Sequence, residues 1–195
     1  ADSLTPKQSE FIARIERSGR SLVEFVEDLR DIARISEGSV ALQIEEFSPV
    51  EVIEDILAML RPKCVEKEQR VSEEFGDAPK SLQADRSRFR QVAKNLIVNA
   101  HKYTPVGGEI HIRVEETSNQ LRLEVSDNGI GIPKEDQHKV FKDFFRATNA
   151  DSQGVGQGLG LALCKRIVET MHQGKIGFQS VEGEGARVCI QLTIR

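Results

Sequence analysis

The sequence predicts an α+β fold: a two-layer sandwich with helices on one face of a mixed sheet, preceded by a long N-terminal helix. Three observations lead there. The first 37 residues carry a heptad of mostly apolar positions and no strand signal. Further on, paired segments alternate apolar and polar residues across short turns, as antiparallel hairpins do. Between them stand segments whose apolar residues recur three and four apart, the period of a helix buried on one side.

The chain has 195 residues, 38% hydrophobic and 30% charged. That suits one globular domain of about 150 residues with an element appended. No segment approaches the ~20 apolar residues needed to cross a bilayer, and no signal-peptide pattern is visible. A net charge of −4 without a basic tract argues against a nucleic-acid partner. Cys64, Cys164 and Cys189 are scattered and odd in number, which favours reduced thiols in a cytosol-like, cytoplasmic compartment. His101, His111, His138 and His172 form no ligand pair, so a metal held by protein side chains alone is not expected. The chain begins at Ala1, from which a fragment or processed product is expected.

Taken in order, "TPKQ" opens the first helix as a capping box, with Thr5 as cap, Pro6 at the first helical position and Gln8 reaching back. Leu4, Gln8, Phe11, Ile15, Ser18, Leu22, Phe25, Leu29, Ile32 and Ser36 then alternate in steps of four and three. A heptad of this length predicts packing along another helix, and Gly38 supplies the stop. A short strand "ALQIEEF" follows, then "SPVE" makes a second capping box of Ser48, Pro49 and Glu51, opening a helix to about Lys67. "QRVSEEF" and "KSLQAD" read as short strands, and Asp85 caps a helix ending near Tyr103. "GGEIHIRVEE" and "QLRLEVSD" make a hairpin about Thr117–Asn119. Residues 134–141 read as a short helix, 147–157 as a flexible loop, and Leu159–Met171 as a helix. "GKIGFQSV" and "ARVCIQLTI" close the chain as a second hairpin.

Chemistry gathers in four places. On the helix before Pro105, Asn95, Asn99 and Lys102 fall at i, i+4 and i+7, almost one line along the axis, beside the apolar set Phe89, Val92, Leu96, Ala100 and Tyr103. Asn is a poor interior helix residue, so two in line with a cation read either as a solvated polar stripe or as a site for a polar ligand. An amide oxygen suits Mg²⁺ beside phosphates, and Lys102 would neutralise phosphate oxygens. In "EVSDNGIGIP", Asp127 shares the inward register of Leu121, Leu123 and Val125, so a carboxylate points where an apolar side chain is expected. Such a carboxylate can accept from an amino group such as adenine's, and Gly129 and Gly131 would let a ring approach the backbone. An ordinary Asx turn explains the same residues in isolation. "VFKDFFRA" concentrates Phe141, Phe144 and Phe145, a hydrophobic plug anchoring one end of a hinged lid. "GVGQGLGLALCKRIVE" runs from glycines into a helix and offers amides to an anion, although it matches neither a P-loop nor a dinucleotide fingerprint.

Together and in this order, the four motifs resemble the catalytic, ATP-binding domain of sensor histidine kinases in the GHKL (Bergerat-fold) superfamily. "NLIVNAHKYTP" is similar to its N box, "DNGIGIP" to its first glycine box, "VFKDFFR" to its F box and "GQGLGLALCKRIVE" to its second glycine box. Residues 4–38 are similar to the second helix of the family's dimerisation domain. The resemblance implies a division into a partial dimerisation segment, 1–40, and a catalytic ATP-binding domain, 41–195. It implies ATP and Mg²⁺ as cofactors, with Asn99 as the metal ligand and Asn95 and Lys102 as catalytic groups at the phosphates. Tyr103 would lie near the base and Asp127 would take the adenine amino group. Gly129, Gly131, Ile132, Gly156, Gly158, Leu159 and Gly160 would shape the pocket and lid. Implied partners are a phosphoacceptor-His helix, a response regulator receiver domain and a second copy in a homodimeric parent protein, and the resemblance allows that parent a membrane anchor. In gyrase- and MutL-like members a Glu stands at the position of Asn95 and activates water. An amide cannot be a general base at neutral pH, so Asn95 favours transfer over hydrolysis.

The pattern also breaks. The family's acceptor His precedes an acidic residue, whereas His101 and His138 precede Lys, His111 precedes Ile and His172 precedes Gln. The acceptor helix is therefore expected upstream of Ala1. Gln157 stands where the family usually has Thr or Ser, and His101 is expected to be a half-buried surface residue without a role. The competing readings are a non-catalytic module of the same fold that signals by protein contact, and a gyrase-like ATPase.

Overall fold

A computed structural model describes residues 5–153 and 157–194. Helix α1 (Pro6–Ser36) opens with the expected capping box at Thr5 and Gln8. Strand β1 (Ile44–Phe47), helix α2 (Pro49–Glu66), strands β2 (Arg70–Glu74) and β3 (Leu82–Asp85), and helix α3 (Arg86–Tyr103) follow. The hairpin β4 (Glu109–Thr117) and β5 (Gln120–Asp127) comes next, then helix α4 (Gly160–Lys165) and the closing hairpin β6 (Lys175–Val181) and β7 (Gly185–Thr193).

Five strands make one mixed sheet in the order β2-β4-β5-β7-β6, with β2 and β4 parallel and the other pairs antiparallel. β1 and β3 form a separate antiparallel pair. The inward register of the sheet, including Ile110, Ile112, Val114, Leu121, Leu123, Val125 and Ile190, is buried beneath α2, α3 and α4. The opposite register of the same strands carries Arg113, Glu115, Arg122, Glu124 and Arg187 in a ladder of ion pairs. One face is therefore core and the other is water-facing, as period-two alternation in a half-covered antiparallel sheet requires.

Three expectations need correction. Residues 134–141 make only a single 3₁₀ turn, Gln137–Lys139, because Asp136 turns inward to hold Thr148 rather than capping a helix. Of the segment read as a loop, 147–157, Thr148–Gln153 is a 3₁₀ turn, while 154–156 lie outside the described residues. The helix expected over Leu159–Met171 is α-helical only to Lys165 and continues as a π-helical turn, Arg166–Met171.

The heptad of α1 also divides. Phe11, Ile15 and Leu22 are exposed, as a helix awaiting another helix would leave them. From Ser21 onward, however, α1 packs on its own domain through Phe25, Asp28, Leu29, Ile32 and Ile35. Arg88 of α3 clamps it, reaching Asp31 through two hydrogen bonds of 2.5 and 3.1 Å, and Gln91 adds a third at 3.0 Å. Burial alone would raise the Asp31 carboxyl, but the hydrogen bonds and charge of Arg88, with the amide of Gln91, hold it below its ordinary value. Asp85, where backbone N–H groups of Arg88 and Gln43 outweigh burial, is held low in the same way.

A carboxyl depressed by folding binds its proton more readily in the unfolded chain. Its stabilisation is present above the ordinary carboxylate range and is lost as pH falls through and below it. Thermal unfolding at pH 7, 5, 4 and 3 is expected to give a falling Tm on the acid side, with Asp31→Asn flattening the fall. Arg88→Met, which strands the buried Asp31 carboxylate, is expected to cost about 2–4 kcal/mol at pH 7, measured by urea denaturation.

Candidate nucleotide site

The cleft forms because α3 must serve two surfaces at once. Its buried stripe, Phe89, Val92, Ala93, Leu96, Ile97 and Ala100, seats it on the core. That fixed rotation leaves Asn95, Asn99 and Lys102 on the adjoining edge, where they line a cleft of about 280 Å³. Val125 and Asp127 at the end of β5 and Ala186 and Val188 of β7 line it too. Gly131, Ile132, Gly158, Leu159 and Gly160 contribute to the wall. The structure thus brings together in one cleft most of the residues singled out from the sequence. Gly129 lies just outside the lining, and Gly156 falls outside the described residues.

Asp127 is inward-facing, as its register requires, with Ile110 and Ala186 as its neighbours across the sheet. Burial pushes its carboxyl above the ordinary value, opposed by the backbone N–H groups of Gly129, at 2.8 Å, and Ala186. The Asx turn and the buried acceptor are thus one arrangement, because the turn amide holds one carboxylate oxygen. The glycines also answer to the packing of the chain itself. A side chain on Gly129 would meet the Tyr103 carbonyl, and Gly131, at φ +63°, lies against the Val181 carbonyl. They let backbone segments pack around the turn, and Gly131 also lines the cleft.

Lys102 is placed in advance, its Nζ 3.1 Å from the Tyr103 hydroxyl and 4.7 Å from the ring centre. Asn95 Nδ2 is buried without a hydrogen-bond partner among the described residues. Below the cleft, His101 is half-buried as expected, but its Nδ1 lies 2.6 Å from Gln69 Oε1.

The aromatic segment is only partly a plug. Phe141 stacks edge-on with Phe178. Phe144 is exposed, adopts φ +61°, and presents its ring to Phe25 of α1 at 6.5 Å. Gly158 passes directly beneath the Phe144–Phe145 backbone, and Arg166 ties the segment to the start of the π-helical turn through Asp143 at 2.7 and 2.9 Å.

Sequence reasoning missed the wall supplied by α1. Ser21, Glu24, Phe25 and Asp28, successive positions on one helical face, also line the cleft. Buried beside Asp31 and Glu24, and only partly offset by Lys94, the Asp28 carboxyl is raised to about 6. Asn149, unremarked in the sequence, lines the cleft and donates to the Ile130 and Gly131 carbonyls at 3.4 and 3.1 Å. Only the spacing of 21, 25 and 28 hinted at a buried face, and nothing local said what it would cover.

Over residues 84–195 the chain matches the family described as histidine kinase-, DNA gyrase B-, and HSP90-like ATPase. It is 35% identical over 197 residues, 98% of this chain, to the sensor histidine kinase GacS of Pseudomonas protegens. It covers 21% of that protein, and between 15% and 46% of the length of the curated relatives it matches. The catalytic domain of the histidine kinase ThkA superposes with a TM-score of 0.68 at 30% identity, over 78% of this chain and 96% of that one. Full-length ShkA in complex with AMPPNP shares the fold, with a TM-score of 0.81 at 23% identity over 100% of this chain and 41% of that one. The chain therefore belongs to the histidine kinase-, DNA gyrase B-, and HSP90-like ATPase family; of its relatives, GacS is a sensor histidine kinase and ThkA a histidine kinase.

Proposed function

We propose that this chain is the ATP-binding catalytic portion of a two-component sensor histidine kinase, passing the γ-phosphate of ATP to a His on a dimerisation helix. In this reading residues 1–40 belong to the dimerisation segment and 41–195 to the catalytic domain. The observation that carries it is the pairing, across one cleft, of a buried acceptor at Asp127 with the polar edge of α3 at Asn95, Asn99 and Lys102. Asp127 accepts from the exocyclic amino group of adenine, with Tyr103 near the base. Lys102 neutralises phosphate oxygens, Asn95 donates to them, and the glycine turn into α4 supplies amides, so that catalysis consists of positioning and charge neutralisation.

A divalent cation fits this donor set. No cluster of three or more His, Cys, Asp or Glu among the described residues could cage a metal. The Asn99 oxygen would therefore hold Mg²⁺ together with phosphate oxygens, as that ion commonly binds. When bound, it would offset charge on the transferring phosphoryl group. A general base to activate water is not offered by Asn95, which favours a protein acceptor over sustained hydrolysis. The acceptor-His helix, a receiver domain and a second copy of the parent protein are the corresponding partners.

Incubation with γ-labelled ATP, Mg²⁺ and a supplied acceptor-helix peptide pair tests the reading. Label is expected on the acceptor His and none is expected with Asn99→Leu. Nucleotide binding without any transfer would leave the protein-contact module as the better reading.

The α1 wall makes a second outcome testable. Glu24 and Asp28 present carboxylates to a cleft meant for a polyphosphate, and Asp28 is charged above pH about 6 and neutral below it. Asp28→Asn is expected to tighten binding of a non-hydrolysable ATP analogue by roughly two- to fivefold at pH 7.5. At pH 5 the mutant and the unmutated chain are expected to bind alike. Calorimetry at the two pH values reads the difference.

A further inference from the structure

Behind the cleft, two side chains from the turn between α2 and β2 close the carboxyl end of α3. Lys67 Nζ donates to the carbonyls of His101, Lys102 and Thr104 at 3.0, 3.1 and 2.7 Å. Gln69 Nε2 donates to those of His101 and Thr104 at 3.0 and 2.7 Å. The helix cannot satisfy these groups itself, since the last turn of any helix lacks following N–H donors and Pro105 stops the chain from continuing. An ammonium is a fitting donor here because it also offsets the negative end of the helix dipole.

The turn that aims these side chains is itself unusual. After α2, Glu68 N–H bonds to the Val65 carbonyl at 2.9 Å and Gln69 N–H to that of Cys64 at 2.8 Å, the two bonds of a Schellman close. The left-handed position of that motif normally takes Gly, yet here it is Glu68, at φ +54°. A non-glycine held there signals a turn whose shape is fixed by its surroundings. The Lys67 carbonyl also accepts from Gly107 N–H at 3.1 Å, which joins this turn to the loop that follows α3.

Lys67 does not line the cleft. The carbonyls it holds, however, belong to the turn that carries Lys102 and Tyr103. The Tyr103 carbonyl in turn accepts from Ile130 N–H at 3.2 Å, in the loop after Asp127. We infer that Lys67 is a positioning residue for the nucleotide: by fixing the carboxyl end of α3 it sets Lys102 and Tyr103, and it offsets the helix's negative end beside the phosphates. The inference rests on the nucleotide-binding reading above.

The test compares the unmutated chain, Lys67→Met, Lys67→Arg and a stability control, Leu121→Ala, at the far end of β5 from Asp127. Each is titrated with a non-hydrolysable ATP analogue and with adenosine, by calorimetry and by tyrosine emission. The chain has one Tyr and no Trp, so the emission reports on Tyr103 alone. Lys67→Met is expected to weaken the analogue about tenfold, to weaken adenosine less, and to shift Tyr103 emission. Lys67→Arg is expected to recover most of the loss. Leu121→Ala should lower Tm while leaving both affinities and the emission in place. Unchanged affinity in Lys67→Met, or a parallel loss for analogue and adenosine matched by Leu121→Ala, would overturn the inference while leaving the nucleotide reading intact. If the unmutated chain bound neither ligand, that reading would fall and the inference with it.

Discussion

The seating of α3 on the sheet is the constraint on which the rest depends. At 3.6 residues per turn, the apolar stripe of Phe89, Val92, Leu96 and Ala100 and the polar line of Asn95, Asn99 and Lys102 rotate together. Burying the first fixes the direction of the second. The sheet imposes the matching constraint from its side. The pleat that buries Leu121, Leu123 and Val125 carries Asp127 inward too, at a point where the strand emerges from the core into the cleft. Core packing and site geometry are thus two consequences of the same contacts.

Much of this was legible in the sequence, because both periods are local. The stripe on α3, the alternation of β4 and β5 and the caps at Thr5, Ser48 and Asp85 need only neighbouring residues to be read. What escaped depended on distant partners. Asp136 turns toward Thr148, twelve residues on, and a helix there is lost. The change to a π-helical turn at Arg166 coincides with its two bonds to Asp143, from a segment the helical period does not contain. The turn after Asp127 also needs its glycines because the Tyr103 and Val181 backbone carbonyls press on them, which no local pattern announced. The separation of β1 and β3 from the main sheet likewise follows from a long-range pairing, from Phe47 with Leu82, 35 residues apart, to Ile44 with Asp85, 41 apart.

The first helix is where sequence and structure agree only in part, and where the site acquires its conditional character. An apolar heptad asks for another helix, and its exposed half, around Phe11, Ile15 and Leu22, still asks for one. The other half is satisfied by its own domain, through the Arg88 clamp on Asp31 and the contact of Phe25 with Phe144. Because Ser21, Glu24 and Asp28 then form a wall of the cleft, the position of α1 and the occupancy of the cleft share the same free energy. Any ligand that prefers one placement of α1 shifts the helix by as much as that preference is worth.

The central claim is that Asp127 reads the amino group of adenine. It is tested most directly by calorimetric titration of the chain and of Asp127→Asn with paired non-hydrolysable analogues of ATP and ITP, which differ at that group. The account predicts that the unmutated chain binds the adenine form at least tenfold more tightly, a difference of about 1.4 kcal/mol, and that Asp127→Asn loses most of this preference. Equal binding of both bases by the unmutated chain, or a preference that survives in Asp127→Asn, would contradict it.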